Sequence, residues 1–299
     1  MIVLTQKYGQ LGNRLSLMAH LIAAAEEYGA TLLCPAFLDY ADLFPATAKD
    51  VWCRYPELPG LPDGQEVTIP QWQRRLAYKL VHKPSKWLHR YGRGRTPFQT
   101  LQLADDQKYD LGSKDFAKLA RSRYPVLVSG WRFRCDPLLE KHADLIRNHF
   151  RVSPSCQARI NELMGTIRIE SELVVGIHIR HGDYAHWDGG KYYFSTQQYA
   201  ATMHRVREQL RGHEVAFLVC SNEPLREADF PGLNVHFGIG AMIEDMYALA
   251  ETDLVVGPPS TFSGWASFYG QAPLQVMQGP DHHIDVSAVL QRHHRHIAA

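Results

Sequence analysis

The run Leu173-Val174-Val175-Gly176-Ile177 has the length and β-branched content of a buried strand, and the polar group His178 to Tyr184 ends it, with Gly182 and Asp183 as stop signals. At a side-chain period of two, His178 and Arg180 face one way and Ile177 and Ile179 the other. A buried guanidinium cannot discharge and presents a rigid fork of donors, a shape that phosphate oxygens match. The competing reading is an Arg180–Asp183 pair that closes the strand end.

The rest of the chain alternates short apolar strands with helical stretches, the pattern of parallel sheets flanked by helices. One series comprises a strand from Ile2 to Thr5, a turn through Gly9 to Asn13, a helix carrying Leu17, Leu21, Ile22 and Ala25, and a strand from Thr31 to Cys34. It continues with a strand from Val126 to Ser129 and an amphipathic helix from Leu138 to Phe150. The second series starts at Leu173. It runs through a strand at Val215 to Cys220, a helix at Met242 to Ala250, a strand at Leu254 to Gly257, a helix at Phe262 to Tyr269 and a strand at Leu274 to Met277. A polar helix from Ser153 separates the two series. Residues 1–160 and 161–299 are therefore expected to form two Rossmann-like α/β domains facing a cleft.

A chain of 299 residues with a formal net charge of +1 and 45% hydrophobic residues describes a soluble globular protein rather than a disordered one. Met1 to Thr5 lack the basic region and apolar run of a signal peptide, and no stretch is apolar over a bilayer's thickness, so a cytoplasmic location is expected. The cysteines, Cys34, Cys53, Cys135, Cys156 and Cys220, are odd in number and form no Cys-x-x-Cys pair. Free thiols are expected. His282, His283, His293, His294 and His296 fit no structural zinc spacing and read as a surface cluster.

Chemistry concentrates in loops at the carboxyl ends of strands, where open α/β sheets place ligands. Gly9-Gln10-Leu11-Gly12-Asn13-Arg14 joins the first strand to the first helix; it suits close approach of a ligand to the backbone, or equally a tight turn with an Asn cap. It is not the G-x-G-x-x-G dinucleotide fingerprint. Gly238-Ile239-Gly240-Ala241 precedes a helix bearing Glu244 and Asp245. Gly257-Pro258-Pro259-Ser260-Thr261-Phe262-Ser263-Gly264-Trp265 puts two hydroxyls at a helix start, either as an anion site or as a simple N-cap. Arg180 and this helix start, in one sheet, together suit a diphosphate.

The set Gly9-Gln10-Leu11-Gly12-Asn13, Gly130-Trp131-Arg132-Phe133, His178-Ile179-Arg180-His181-Gly182-Asp183-Tyr184, Asp245-Met246-Tyr247 and Ser260-Thr261-Phe262-Ser263-Gly264-Trp265 resembles the fucosyltransferase superfamily, most of all the bacterial α-1,2-fucosyltransferases of glycosyltransferase family 11. The family usually has a second Arg where His181 stands and a Gln where Arg14 stands. The resemblance implies a glycosyltransferase-B architecture and inverting transfer of L-fucose from GDP-fucose to a glycan hydroxyl in polysaccharide biosynthesis, without a cofactor or an obligatory metal. The chain has no Asp-x-Asp triplet of the kind that holds Mg²⁺ or Mn²⁺, so a side-chain cation must meet the departing diphosphate. Arg180 is expected in that role, with Asn13 as a neutral donor and Ser260 and Thr261 completing a phosphate cradle. Gly9, Gly12, His178, Asp183, Asp245 and Phe262 are expected around the donor; Asp183 is as readily structural, and Asp245 has the alternative of a helix-start charge. The general base is expected at Asp188 or His186. A noncatalytic nucleotide-sugar binder, or a transferase of another deoxysugar, stays open on the same fold.

Between Val67 and Ala104 stand eight Lys or Arg residues and no acidic ones, interleaved with Trp72, Leu76, Tyr78, Leu80, Trp87 and Tyr91. That mix suits the surface of an anionic membrane carrying a lipid-linked acceptor, or a solvated helix pair with its aromatics in the core. Nucleic acid fits the local charge but no recognised nucleic-acid motif is present.

Overall fold

Apolar runs bounded by turn residues become the strands of two parallel sheets. The computed structural model describes residues 1–58, 69–91 and 98–291. The chain divides into two compact units, Met1–Ser153 and Pro154–Ala299. That divide falls at the start of the polar helix, not within it at 160/161.

In the first unit, β1 (Ile2–Leu4), α1 (Leu11–Tyr28), β2 (Leu32–Leu33), α2 (Pro45–Ala48), α3 (Gln71–Tyr91), β3 (Gln99–Gln102), β4 (Tyr109–Asp110), α4 (Lys114–Ala120), β5 (Val126–Ser129), β6 (Phe133–Arg134), α5 (Asp136–Lys141) and α6 (Ala143–His149) follow in order. The main sheet has the order β2-β1-β5-β3, with every pair parallel. α1 is buried along most of its length, from Leu11 through Ala25, and ends on Gly29 in the left-handed region at φ 62°. The single helix expected from Leu138 to Phe150 is two, α5 and α6, broken at His142. The His142 ring meets the Glu27 carboxylate of α1 at 2.9 Å, a tertiary bond that no local signal announces.

The second unit contains α7 (Pro154–Ile169), β7 (Leu173–Ile179), α8 (Thr196–Gln209), β8 (Val215–Ser221), β9 (Val235–Phe237), α9 (Met242–Ala250), β10 (Leu254–Gly257), α10 (Thr261–Gly270) and β11 (Leu274–Val276). Its sheet is parallel throughout, in the order β11-β10-β7-β8-β9. All of β7 is buried. Leu173, Val175, Ile177 and Ile179 join a core with Met203 and Val206 of α8 and Phe217 and Val219 of β8. Each such side chain contributes about 1.5–3 kcal/mol by leaving water. Gly176 faces the other way, where a Cβ would stand 2.7 Å from Leu249 Cδ2 of α9. The same face carries His178. In chain order within this unit the strands run 3-2-1-4-5, so β7 and β10 are the neighbours between which the winding reverses. The carboxyl ends of that pair form the topological switch point, where doubly wound sheets bind ligands.

The five cysteines are free thiols, four of them buried and Cys135 half-buried. Among the described residues no helix is long and apolar enough to cross a membrane.

Candidate functional site

Arg180 directly follows β7 at the switch point, and the Gly257–Ser260 turn leads from β10 into α10 beside it. Tyr184 fastens the two: its hydroxyl donates to the Pro259 carbonyl at 2.6 Å, and its ring lies 5.7 Å beneath the Arg180 guanidinium. Sequence reasoning assigned Tyr184 no task although it stands in the motif.

Arg180 Nη2 donates to Asp183 Oδ2 at 3.1 Å. The side chains are 22% and 61% exposed, so this is a largely solvated pair of the kind worth about 0–1 kcal/mol. The strand-end pairing therefore exists, and it holds Arg180 only weakly.

His178 is buried, and its ring stacks on Phe262 of α10 with centroids 4.8 Å apart. Burial, then the charge of Arg180, lowers its pKa to about 3. The imidazole is neutral at ordinary pH, and Arg180 supplies the local positive charge. Nδ1 of His178 is buried without a hydrogen-bond partner. Gly257 lies against the same residue: a Cβ there would come within 2.9 Å of the His178 carbonyl oxygen and 3.0 Å of its Cβ. Only glycine lets the two strand ends approach this closely.

Ser260 is the N-cap of α10, with Oγ accepting from the Phe262 N–H at 3.2 Å. The N-cap reading of this loop holds, and a capped helix start still carries its positive dipole end and backbone donors. Thr261 is the first residue of the helix.

Asp245 lies on α9, the helix that follows β9. It is buried in the first turn of α9, and its Oδ1 accepts from the Gly240 N–H at 3.0 Å. Burial raises its pKa, and the Gly240 and Ile239 N–H groups pull it back. Its carboxylate holds the Gly238–Ala241 loop in shape, a task closer to the helix-start alternative than to an open ligand contact.

His186 and Asp188 are exposed on the turns after Asp183. Asp188 lies in the left-handed region at φ 49°, followed by Gly189 and Gly190 at 67° and 79°. Three such residues in a row turn the chain back on itself, and Trp187 packs on Tyr184 and Tyr192 with centroids 4.7 and 5.5 Å away. Asn222, at the end of β8, was missed by sequence reasoning; its Oδ1 accepts from the His181 N–H at 2.8 Å and so fixes the Arg180 loop from the opposite side.

In the first unit, Gly9 follows β1 at φ 59°, and a Cβ on it would lie 2.1 Å from Asn13 Nδ2. Asn13 thus folds over Gly9 inside the first turn of α1. It is not the cap: that position belongs to Gln10, which makes no side-chain capping bond. Gly12 is buried in the same turn. Arg14 locks the loop by donating to Gly9 O and Ala36 O, both at 3.2 Å, and to Asp39 Oδ2 at 2.6 Å. Burial opposes the charge of Asp39, but the bonds from Lys7 and Arg14 outweigh it and hold its pKa down. Gly130 at φ 141° ends β5, the strand next to β1.

Among the described residues no cluster of three or more His, Cys, Asp or Glu side chains is placed to hold a metal ion. His293, His294 and His296 lie outside the described residues.

No protein-family model and no curated protein matches the chain. Solved structures do. A point mutant of Arabidopsis thaliana FUT1 in complex with GDP is 15% identical, with a TM-score of 0.58 over 92% of this chain and 70% of that one. POFUT1 in complex with GDP-fucose is 14% identical, with a TM-score of 0.53 over 91% and 95%. The fucosyltransferase NodZ from Bradyrhizobium is 17% identical, with a TM-score of 0.50 over 89% and 91%. At these identities the likeness establishes a fold, and the chain has the glycosyltransferase-B type of α/β fold that these proteins share.

Proposed function

We propose that the chain is an inverting fucosyltransferase that moves L-fucose from GDP-fucose to a hydroxyl of a glycan acceptor, in the manner of the α-1,2-transferases of glycosyltransferase family 11, without an obligatory metal. The observation that carries this reading is the placement of Arg180 and the Ser260-capped start of α10 on either side of the switch point, joined through Tyr184. The fold shared with structures holding GDP and GDP-fucose supports it.

In this reading the diphosphate displaces Asp183 from Arg180 and receives N–H groups from the start of α10 with the hydroxyls of Ser260 and Thr261. The acceptor oxygen bonds to the anomeric carbon as the bond from that carbon to the β-phosphate oxygen breaks, and the electron pair leaves with GDP. Negative charge grows on the β-phosphate, where the fixed guanidinium favours the transition state over the ground state. Neutral His178 holds Phe262 and the helix start in place. The acceptor proton passes to Asp188, with His186 as the alternative base. Asn13 is the proposed neutral donor, and the Gly9 and Gly12 turn shapes its loop. Asp245 maintains the Gly238–Ala241 loop as a wall for the nucleoside.

Thermal denaturation with GDP, UDP and dTDP tests the nucleotide. At a hundredfold excess over Kd, GDP should stabilise the protein by about 2.7 kcal/mol, and UDP and dTDP much less. Equal stabilisation by UDP refutes the choice of donor. GDP-fucose cleaved slowly without acceptor marks an enzyme; binding without any cleavage or transfer marks a noncatalytic binder and refutes the catalytic assignment.

A further inference from the structure

The helix α3 has two contrasting faces, one buried and one exposed. Its inner face is tied down. Arg74, fully buried, donates to Asp50 O at 3.0 Å, Ala48 O at 2.6 Å and Asp42 Oδ1 at 2.9 Å. About two turns further along, His82 Nδ1 meets the Thr5 carbonyl at 2.9 Å, just past β1, and stacks on Tyr78. Ala77 and Ser85 complete this buried stripe.

The outer face carries Trp72, Leu76, Leu80 and Trp87, which are 64%, 49%, 60% and 60% exposed. At 100° per residue these four span about 80° of the helix, a sector that Lys83 and Arg90 share. Scattered exposed leucines need no explanation, but four large apolar groups on one line, two of them indoles, form a patch. Arg75, Lys79, Lys83, Lys86 and Arg90 are exposed alongside it, and the helix contains no acidic residue. Among the described residues Arg75, Lys79, Lys83 and Lys86 enter no ion pair. Trp72 and Trp87 are therefore not core residues of a solvated helix pair, whereas Tyr78 stacks on His82 at the inner face. Indoles and leucines in a line, flanked by long cationic side chains that can extend sideways to phosphates, suit an interface that is apolar below and anionic at its rim.

We propose that the outer face of α3 docks this protein on the surface of an anionic lipid bilayer. The helix lies in the plane of the headgroups, with Trp72, Leu76, Leu80 and Trp87 entering the acyl boundary and the five cations among lipid phosphates. It rests on the surface and does not cross it, since those cations exclude it from the hydrocarbon. Because the inner face of α3 sits on the end of β1, docking brings the Gly9–Asn13 loop near the headgroups; resting on the transferase reading, this suits an acceptor glycan carried on a lipid.

Flotation of the full chain with phosphatidylcholine vesicles, and with vesicles of equal parts phosphatidylcholine and phosphatidylglycerol, tests the docking independently of any donor chemistry. Binding is expected only to the anionic vesicles, weakening as salt shortens the Debye length to about 8 Å. Lys79→Ala combined with Lys83→Ala should reduce partitioning roughly 30-fold. Leu76→Ser with Leu80→Ser should abolish it. Both pairs are exposed, and the thermal response to GDP should be kept in each. No binding of the parent chain at low salt overturns the proposal, as does binding unchanged in both double variants. Tighter binding to single-stranded RNA that displaces the vesicles assigns the face to nucleic acid and also overturns it. A failure here leaves the GDP response, and the reading of the donor site, untouched.

Discussion

Arg180→Lys keeps the charge and removes the fork, so it separates geometry from simple electrostatics. Arg180 pairs with one mostly solvated carboxylate, Asp183, a contact worth about 0–1 kcal/mol. A unit of this size loses roughly 2–4 °C of melting temperature per kcal/mol, so the variant should melt within a few degrees of the parent. Catalysis should respond on another scale. The planar guanidinium reaches two phosphate oxygens at once from a base fixed by Tyr184 and Asn222, whereas an ammonium on a flexible stem offers one mobile point charge. Loss of one preorganised donor typically costs about 10²–10³ in kcat, or about 2.7–4 kcal/mol. The assay is GDP release from GDP-fucose with and without acceptor, alongside calorimetric GDP binding. A kcat within a few-fold of the parent refutes the role, whatever happens to affinity; so does a large loss of melting temperature, which would make Arg180 structural.

Three further outcomes follow from the geometry. His20, His149 and His178 are buried with pKa values lowered to about 4, 4 and 3, first by burial. Below the unfolded value near 6.5 the unfolded chain takes up protons that the folded chain refuses, so stability is lost as pH falls from 6.5 toward 4, by about 2 kcal/mol per such histidine at pH 5. His149→Phe, set among Tyr55 and Phe150 in edge contacts, should flatten the slope of melting temperature against pH; an unchanged slope removes this account of His149. Gly257→Ala forces a methyl against His178 and should cost about 1–3 kcal/mol together with GDP binding, read by denaturation and calorimetry; an unperturbed GDP affinity contradicts the close approach at the switch point. Asp188→Asn should fold normally, since Asn also accepts the left-handed backbone, and should lower kcat by about 10²–10⁴ with KM for the donor little changed. Parent-like turnover excludes Asp188 and passes the role to His186, tested by His186→Gln.

Much of the second unit was legible because its three central strands are buried on both faces. Leu254–Gly257 and Met242–Ala250 emerge at the expected positions, and the strand from Leu173 runs two residues past the expected Ile177, to Ile179. What escaped lies at edges. Gln99–Gln102 is half polar at one margin of its sheet, and Val235–Phe237 is short and half-buried at another, so neither carries a clear apolar period. The break at His142 has no glycine or proline behind it; a contact with Glu27, distant in sequence, decides it. At the site, Arg180 and the Ser260 helix start were readable from residue types and position. Tyr184 and Asn222 were not, because their tasks, a bond to Pro259 O and a bond from His181 N–H, exist only once two loops meet. Asp245 shows the converse: an acidic residue at a helix start looks available for a ligand, but its oxygen is already engaged by the backbone of its own loop.

A crystal structure of the protein with GDP tests the central claim most directly. The account predicts the β-phosphate at the switch point, with Arg180 turned from Asp183 onto its oxygens and the start of α10 donating from the other side. GDP bound elsewhere, or bound at this place with Arg180 still on Asp183, would contradict it.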